Sequence, residues 1–283
     1  MVSNSVLMSV YGQVSPEELN QCLRSLKTQT RQPDQTVIVM DGPLPEPLHQ
    51  LLKAYQAYQE HAVELVPIAK NQGLIHALNT GLKHCRGEWV IRMDADDIAL
   101  PTRFEVQLAM LESQPDIDVL GCSMLEFDID PTRPSRLKPA LQTHAEIAAG
   151  LPFRNPINHP TACIRKARLD SVGGYPGLAL LEDYYLWSKL LIGGARFCNI
   201  TEPLYLFRFD DKTLTRRGGK RNFRNEIWLR RWMYDNGLMS YPRFCLFVCI
   251  QSILRFAPLA IRRFLWEKSR QPYRGEVQLP DEF

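Results

Sequence analysis

Short apolar runs alternate along the first half of the chain with stretches patterned as amphipathic helices, and this alternation limits the fold more than any other feature. Ser5–Val10, Thr36–Met40, Val63–Ile68, Glu88–Met93 and Val119–Leu125 read as strands. Between them, Pro16–Gln29, Leu48–Tyr58, Asn71–Cys85 and Pro101–Ser113 read as helices. In the first helix Leu19, Cys22, Leu23 and Leu26 share a face, and Ser15 stands at the N-cap position with Pro16 and Glu18 following as a helix start requires. Repeated strand–helix units predict an α/β fold with a mainly parallel sheet and helices on both faces. Ligands of such sheets bind at the carboxyl ends of the strands. Asp41 and Asp94 both end strands, so the fold places them on one rim although they are distant in sequence.

The 283 residues, 45% of them hydrophobic, suffice for one large α/β domain with an appended tail. The net charge of +3 conceals an asymmetry: Arg208–Arg270 holds 15 Lys/Arg against 5 Asp/Glu, a net of +10, and the remainder is −7. A basic segment of this kind suits anionic lipid, phosphate or nucleic acid, or is simply a solvated helical face. No nucleic-acid motif accompanies it, so no nucleic-acid partner is expected. The apolar stretch Phe244–Leu254 is too short to span a bilayer. With Arg255, Arg262, Arg263 and Trp266 after it, it reads either as a helix lying on a membrane surface or as one packed on the domain. Seven cysteines without a Cys-x-x-Cys pair suggest neither a disulfide framework nor a zinc site and fit a reducing cytosol. Met1–Tyr11 lacks a basic leader and reads as a strand, not a signal peptide.

Chemistry-bearing residues concentrate in two places. Asp94-x-Asp96-Asp97 follows the apolar strand WVIRM and precedes a helix. Its carboxylates are hard donors suited to Mg²⁺ or Mn²⁺, the cations that neutralise a departing nucleotide diphosphate. Glu182-Asp183 opens a helix, where it is either an acidic first turn or a source of a general base. Asp41 could accept from the N–H of a base, or could belong to an Asp-Gly-Pro turn. Asn71-x-Gly73 carries the same two readings, as cap or as nucleotide loop, and His159 either lines an acceptor site or is structural.

These stretches resemble the inverting glycosyltransferases of family 2, which have the GT-A fold. The resemblance runs from about Ser5 to Thr215 and is carried by SVLMSVYG, by LNQCLRSLKTQTRQPDQTVIVMDGP and, most specifically, by NQGLIHALNTGLKHCRGEWVIRMDADDIALP. It implies a Rossmann-like GT-A catalytic domain over residues 1–215 and a basic helical C-terminal segment over 216–283, one that associates with membrane or packs on the domain. By position, Tyr11, Asp41, Asn71 and Gly73 would line the nucleotide, Asp94 the ribose and diphosphate, and Asp96 would bind the metal. Asp183 would be the catalytic base, with Glu182 and His159 on the acceptor side. Arg208, with Thr213 or Thr215, would face the diphosphate. The chain departs from the pattern at Leu78, where many members carry Arg, and at Gly42-Pro43, which replace a second acid after Asp41. The Gln-x-x-Arg-Trp signature of polymerising synthases is broken, since Trp228 takes the Gln position before Arg231-Trp232. One sugar per encounter is therefore expected.

Within the family the chain looks most like bacterial enzymes that build exopolysaccharide, capsule or O-antigen units. Those use UDP-glucose or UDP-galactose, a divalent cation and a polyprenyl-diphosphate-linked saccharide acceptor. A cytoplasmic enzyme, peripheral on the inner face of the membrane, is the corresponding expectation. Two other readings stand beside it. One is a phosphohydrolase with Asp94 as nucleophile, although Ile98 occupies a place where a hydroxyl would help. The other is a non-catalytic module that binds nucleotide sugar or nucleic acid.

Overall fold

The computed structural model describes residues 2–209, 220–256 and 268–280. Four of the apolar runs form a parallel sheet: β1 (Asn4–Tyr11), β2 (Gln35–Asp41), β3 (Ala62–Ile68) and β4 (Trp89–Asp94), in the order β3-β2-β1-β4. The helices α1 (Pro16–Lys27), α2 (Glu46–Tyr58) and α3 (Leu74–Leu82) return the chain between them. After the short β5 (Ile98–Ala99) and α4 (Arg103–Ser113), β6 (Val119–Phe127) extends the sheet through β8 (Cys163–Arg165), which runs antiparallel to both β4 and β6. β7 (Arg136–Lys138) is antiparallel to β6, and β9 (Phe197–Arg208) lies parallel to β6 and pairs with β5. The sheet thus has a parallel half and a mixed half.

The strands read as nearly unbroken apolar runs because both sheet faces are covered. Val6, Met8, Val10, Ile38 and Ile91 pack beneath α1, α2 and α4 with Leu19, Leu26, Leu52, Phe104 and Leu108. Leu7, Val37, Val39 and Val90 face α3 and α7 (Glu182–Ile192), where Leu82 and Trp187 meet them. Leu78 is fully buried in this second layer, so the position where the family's pattern carries an arginine is here part of the core. α3 approaches the sheet closely at Gly81, where a β-carbon would come within 2.4 Å of Leu7 Cδ1 and 2.6 Å of Val39 Cγ2.

Ser15 occupies the N-cap of α1 but its side chain makes no capping bond, and Glu18 turns instead to Arg208, 3.5 Å away. The effective capping box lies elsewhere, at Thr143 and Glu146 of α5 (His144–Gly150). A short helix α6 (Lys166–Ser171) follows β8. Beyond β9, α8 (Lys220–Asp235) buries Leu229 and Met233, and α9 (Tyr241–Phe256) buries Phe247. The last described stretch returns to the sheet as β10 (Gln271–Pro272), antiparallel to β7. There Tyr273, Val277 and Leu279 cover Ile98, Phe127 and Leu206. The buried Glu126 accepts from Arg270 Nε at 2.7 Å and pairs with Arg136 Nε at 3.4 Å. The basic C-terminal segment therefore contributes an edge strand as well as helices.

Candidate active site

Three adjacent strand ends build one side of the site. The register pairs Tyr11 with Asp41 and Ser9 with Asp94, so Tyr11, Asp41 and Asp94 stand together on the carboxyl rim. This is the rim that the strand pattern predicts. Tyr11 is partly exposed there, whereas Asp41 is buried. Asp41 accepts from the backbone N–H of Gln72 at 2.8 Å through Oδ1 and of Gly73 at 2.9 Å through Oδ2. Asn71 Nδ2 donates to its carbonyl at 3.2 Å. The carboxylate thus moulds the 71–73 loop against the end of β2. Gly42 makes this possible: at φ +89° it has no β-carbon, and an added one would fall 2.6 Å from Asn71 N. A bulkier residue at position 42 would push the loop away.

The Asp94–Asp97 turn follows. Asp94 is paired with Arg92, a buried guanidinium that also donates to the Met93 carbonyl. Asp96 lies at the exposed tip of the turn, while Asp97 points inward. Asp97 Oδ1 accepts from Arg208 N at 2.7 Å. Burial pushes its carboxyl well above the usual carboxylate range, and the charges of Asp96 and Asp94 push the same way. Arg208 reaches Asp96 O with Nε at 3.0 Å, donates to Gln21 Oε1 at 2.6 Å, and stacks 4.7 Å over the Phe127 ring. It ties the turn to α1 and β9, which fixes the turn's shape. Thr213 and Thr215, suggested as its companions, lie outside the described residues.

Among the described residues no three carboxylate, imidazole or thiolate groups converge as a metal cage. Mg²⁺ and Mn²⁺ do not require one, since Mg²⁺ in particular binds through one or two carboxylates, substrate phosphates and water. The exposed Asp96 carboxylate, beside Asp94 on the same turn, has the hard-oxygen chemistry such a cation takes.

The other side of the site comes from the opening turn of α7. Glu182 and Asp183 occupy that turn as expected. Asp183 Oδ2 accepts from Asn155 Nδ2 at 2.6 Å, and its Oδ1 from Tyr184 N at 2.7 Å. Burial, reinforced by Asp183, raises the Glu182 carboxyl to about 7, and Arg92 and Asp94 act on it in opposite directions. Tyr175 likewise feels Arg92, Asp183 and Asp94 together. The two acidic motifs, remote in sequence, are thus near enough for Arg92, which pairs with Asp94, to act on the charge of Glu182 as well.

His159 opens a single 3₁₀ turn, His159–Thr161, and its ring packs 5.4 Å from Tyr175 and 6.1 Å from Trp187. Burial, with Arg92 nearby, holds its imidazole well below the usual range. It is buried against these two rings, as the structural one of its two readings expects. Arg92 and Asn155 have no counterpart in the sequence-based site. An arginine inside an otherwise apolar strand, immediately before an acidic turn, was the available sign for the first. An asparagine followed by Pro156, in a loop that also begins at Pro152, was the sign for the second.

A parallel half-sheet with an acidic turn at its rim, joined to a mixed half, is the fold of the GT-A glycosyltransferase class. Residues 5–173 match the model of Glycosyl transferase family 2, and the chain belongs to that family and is a glycosyltransferase. It is 34% identical over 267 residues, 94% of its length and 99% of the other's, to the amylovoran biosynthesis glycosyltransferase AmsE of Erwinia amylovora. It is 32% identical over 264 residues to a UDP-Gal:α-D-GlcNAc-diphosphoundecaprenol β-1,3-galactosyltransferase of Escherichia coli, covering 93% of this chain and 95% of that one. Among solved structures, S. aureus TarS in complex with UDP superposes with a TM-score of 0.63 at 17% identity, over 94% of this chain and 78% of that one. This last similarity concerns the fold.

Proposed function

We propose that this glycosyltransferase moves a hexose, glucose or galactose, from a UDP-sugar onto a polyprenyl-diphosphate-linked saccharide in bacterial surface polysaccharide synthesis, with inversion at the anomeric carbon. One observation carries the reading: the Asp94–Asp97 turn, held by Arg92, lies within electrostatic reach of the Glu182–Asp183 pair, as donor and acceptor groups of one reaction must be. The Escherichia coli relative's activity on UDP-Gal and a diphosphoundecaprenol-linked GlcNAc, and the Erwinia relative's role in amylovoran biosynthesis, support the substrate class. In this reading Tyr11, Asp41, Asn71 and Gly73 hold the base and ribose, and Asp94 the ribose–diphosphate junction. A Mn²⁺ or Mg²⁺ ion held by Asp96 would supply electrostatic stabilisation of the leaving diphosphate. Asp183 takes the proton of the acceptor hydroxyl as that oxygen attacks from the face opposite the nucleotide, and one displacement converts an α-linked donor to a β-linked product.

A lipid-linked acceptor brings the enzyme to a membrane face. Among the described residues no helix is long and apolar enough to cross a bilayer. α9 exposes Leu246 and Ile250 beside Arg243, and α8 exposes Trp228 near Arg224 and Arg231, a combination suited to the anionic inner leaflet. The test is a panel of UDP- and GDP-sugars with Mn²⁺, Mg²⁺ or EDTA, read by thermal shift and nucleotide release. Metal-dependent stabilisation by one UDP-hexose, with slow UDP release, is expected. Stabilisation without release, even with lipid-linked acceptor present, would indicate a binding module instead. Full activity in EDTA would remove the cation from the account.

A further inference from the structure

The catalytic base on α7 is held by a residue from outside its helix. Asp183 has one oxygen on the backbone N–H of Tyr184 and the other on the Asn155 amide. With both oxygens engaged, rotation of the carboxylate is fixed. The N–H of Tyr184 belongs to the helix and comes with any sequence. The Asn155 amide depends on the side chain at that position, and the loop that carries it is anchored at both ends. Pro156 restricts Asn155 to extended backbone. The Pro156 carbonyl accepts from the buried Asn199 of β9 at 3.3 Å, Ile157 is buried in the core, and Asn158 Nδ2 donates to Cys122 O of β6 at 3.0 Å. At its other end, Leu151 O accepts from Tyr184 Oη at 2.5 Å, and Arg230 Nη2 of α8 donates to the same Oη at 2.9 Å. The loop is thus fastened to the sheet and to the first turn of α7, which gives the Asn155–Asp183 distance little freedom.

We infer that Asn155 is a positioning residue for the catalytic base: its amide N–H fixes the orientation of the Asp183 carboxylate toward the acceptor hydroxyl. The inference rests on the transferase reading above. It separates from a simple packing role because Asp has nearly the shape of Asn but no donor. Asn155→Asp keeps the loop's volume and places a second carboxylate oxygen against Asp183, whereas Asn155→Ala removes the amide and leaves room for water.

The full-length protein is assayed with the UDP-hexose that its wild type turns over and a short-chain lipid-diphosphate-linked sugar as acceptor, with UDP plus Mn²⁺ thermal shift as the donor-site control. Asn155→Ala should lower kcat roughly 10–100-fold, the range expected for loss of one hydrogen bond to a charged group. Its donor KM and its stabilisation by UDP should stay within about twofold of wild type, since the donor half is untouched. Asn155→Asp should be worse than Asn155→Ala. An Asn155→Asp enzyme as active as wild type, or more active than Asn155→Ala, overturns the inference, and it carries the test alone should the alanine variant unfold. In the same assay Asp183→Asn reports on the transferase reading. Its inactivity beside a fully active Asn155→Asp would refute the role of Asn155 and leave that reading intact. Absence of turnover in the wild type would defeat both.

Discussion

Substituting Asp41 by Asn tests whether this residue chiefly contacts a base or chiefly builds the loop that does. In the structure each carboxylate oxygen accepts one backbone N–H, from Gln72 at 2.8 Å and Gly73 at 2.9 Å, and the side chain is buried. Asn offers one carbonyl oxygen and one NH₂, so one of the two N–H groups would face a donor and the other would bond to a neutral acceptor. A hydrogen bond to a charged group is worth about 1.5–3 kcal/mol and a neutral one about 0.5–1.5 kcal/mol. One charged bond is lost and the survivor is weakened, but Asn71 and Gln72 are exposed and water recovers part of the deficit. The net cost comes to about 2–3 kcal/mol. For a chain of this size that corresponds to a fall in Tm of roughly 4–12 °C. Displacement of the 71–73 loop should also weaken UDP binding, on the order of 10-fold or more. Differential scanning calorimetry and titration calorimetry with UDP and Mn²⁺ give both numbers on one preparation. A variant with wild-type Tm and reduced UDP affinity would show that Asp41 acts on the base alone. Unchanged values in both would refute the bracing argument entirely.

Gly42→Ala should move the same loop from the other side, because its β-carbon meets Asn71 N at 2.6 Å in a φ +89° conformation. Reduced UDP affinity together with a lowered Tm is expected, and wild-type UDP affinity would count against the loop's role. Glu182 binds its proton more tightly in the folded protein than in the unfolded chain. Its contribution to stability is therefore complete below the ordinary carboxylate range and is lost as pH rises through about 7. Glu182→Gln should become more stable relative to wild type between pH 5 and pH 8 in urea titrations, and a pH-independent difference would contradict the burial argument. Arg270→Met leaves the buried Glu126 with Arg136 alone and should cost about 2–3 kcal/mol in chemical denaturation, most of it recovered by adding Glu126→Gln. No loss in the single variant would mean that β10 is not held by that pair.

The parallel half of the fold was legible because its strands are buried on both faces and its helices keep a single apolar stripe. The rim position of Asp41 and Asp94 followed from that half alone. Of the mixed half only β6 was legible, since β7, β8 and β10 are two or three residues long and leave no periodicity. Ser15 and Glu18 match a helix start by pattern, yet tertiary contact with Arg208 claims Glu18. The acidic residues of the site could be found because carboxylates in turns stand out. The groups that orient them could not: Arg92 lies inside a strand, and Asn155 reaches Asp183 across 28 positions of sequence. His159, left open by the sequence between an acceptor contact and a structural role, is buried against Tyr175 and Trp187.

The most direct test of the account is the stereochemistry of the product. Wild type and Asp183→Asn would be incubated with an α-linked UDP-hexose, Mn²⁺ and a lipid-diphosphate-linked sugar, and the new linkage read by the anomeric ¹H coupling in NMR. A β-linked product from the wild type, with no turnover by Asp183→Asn and undiminished UDP binding, is the predicted result. An α-linked product, or wild-type turnover by Asp183→Asn, would contradict a single displacement with Asp183 as its base.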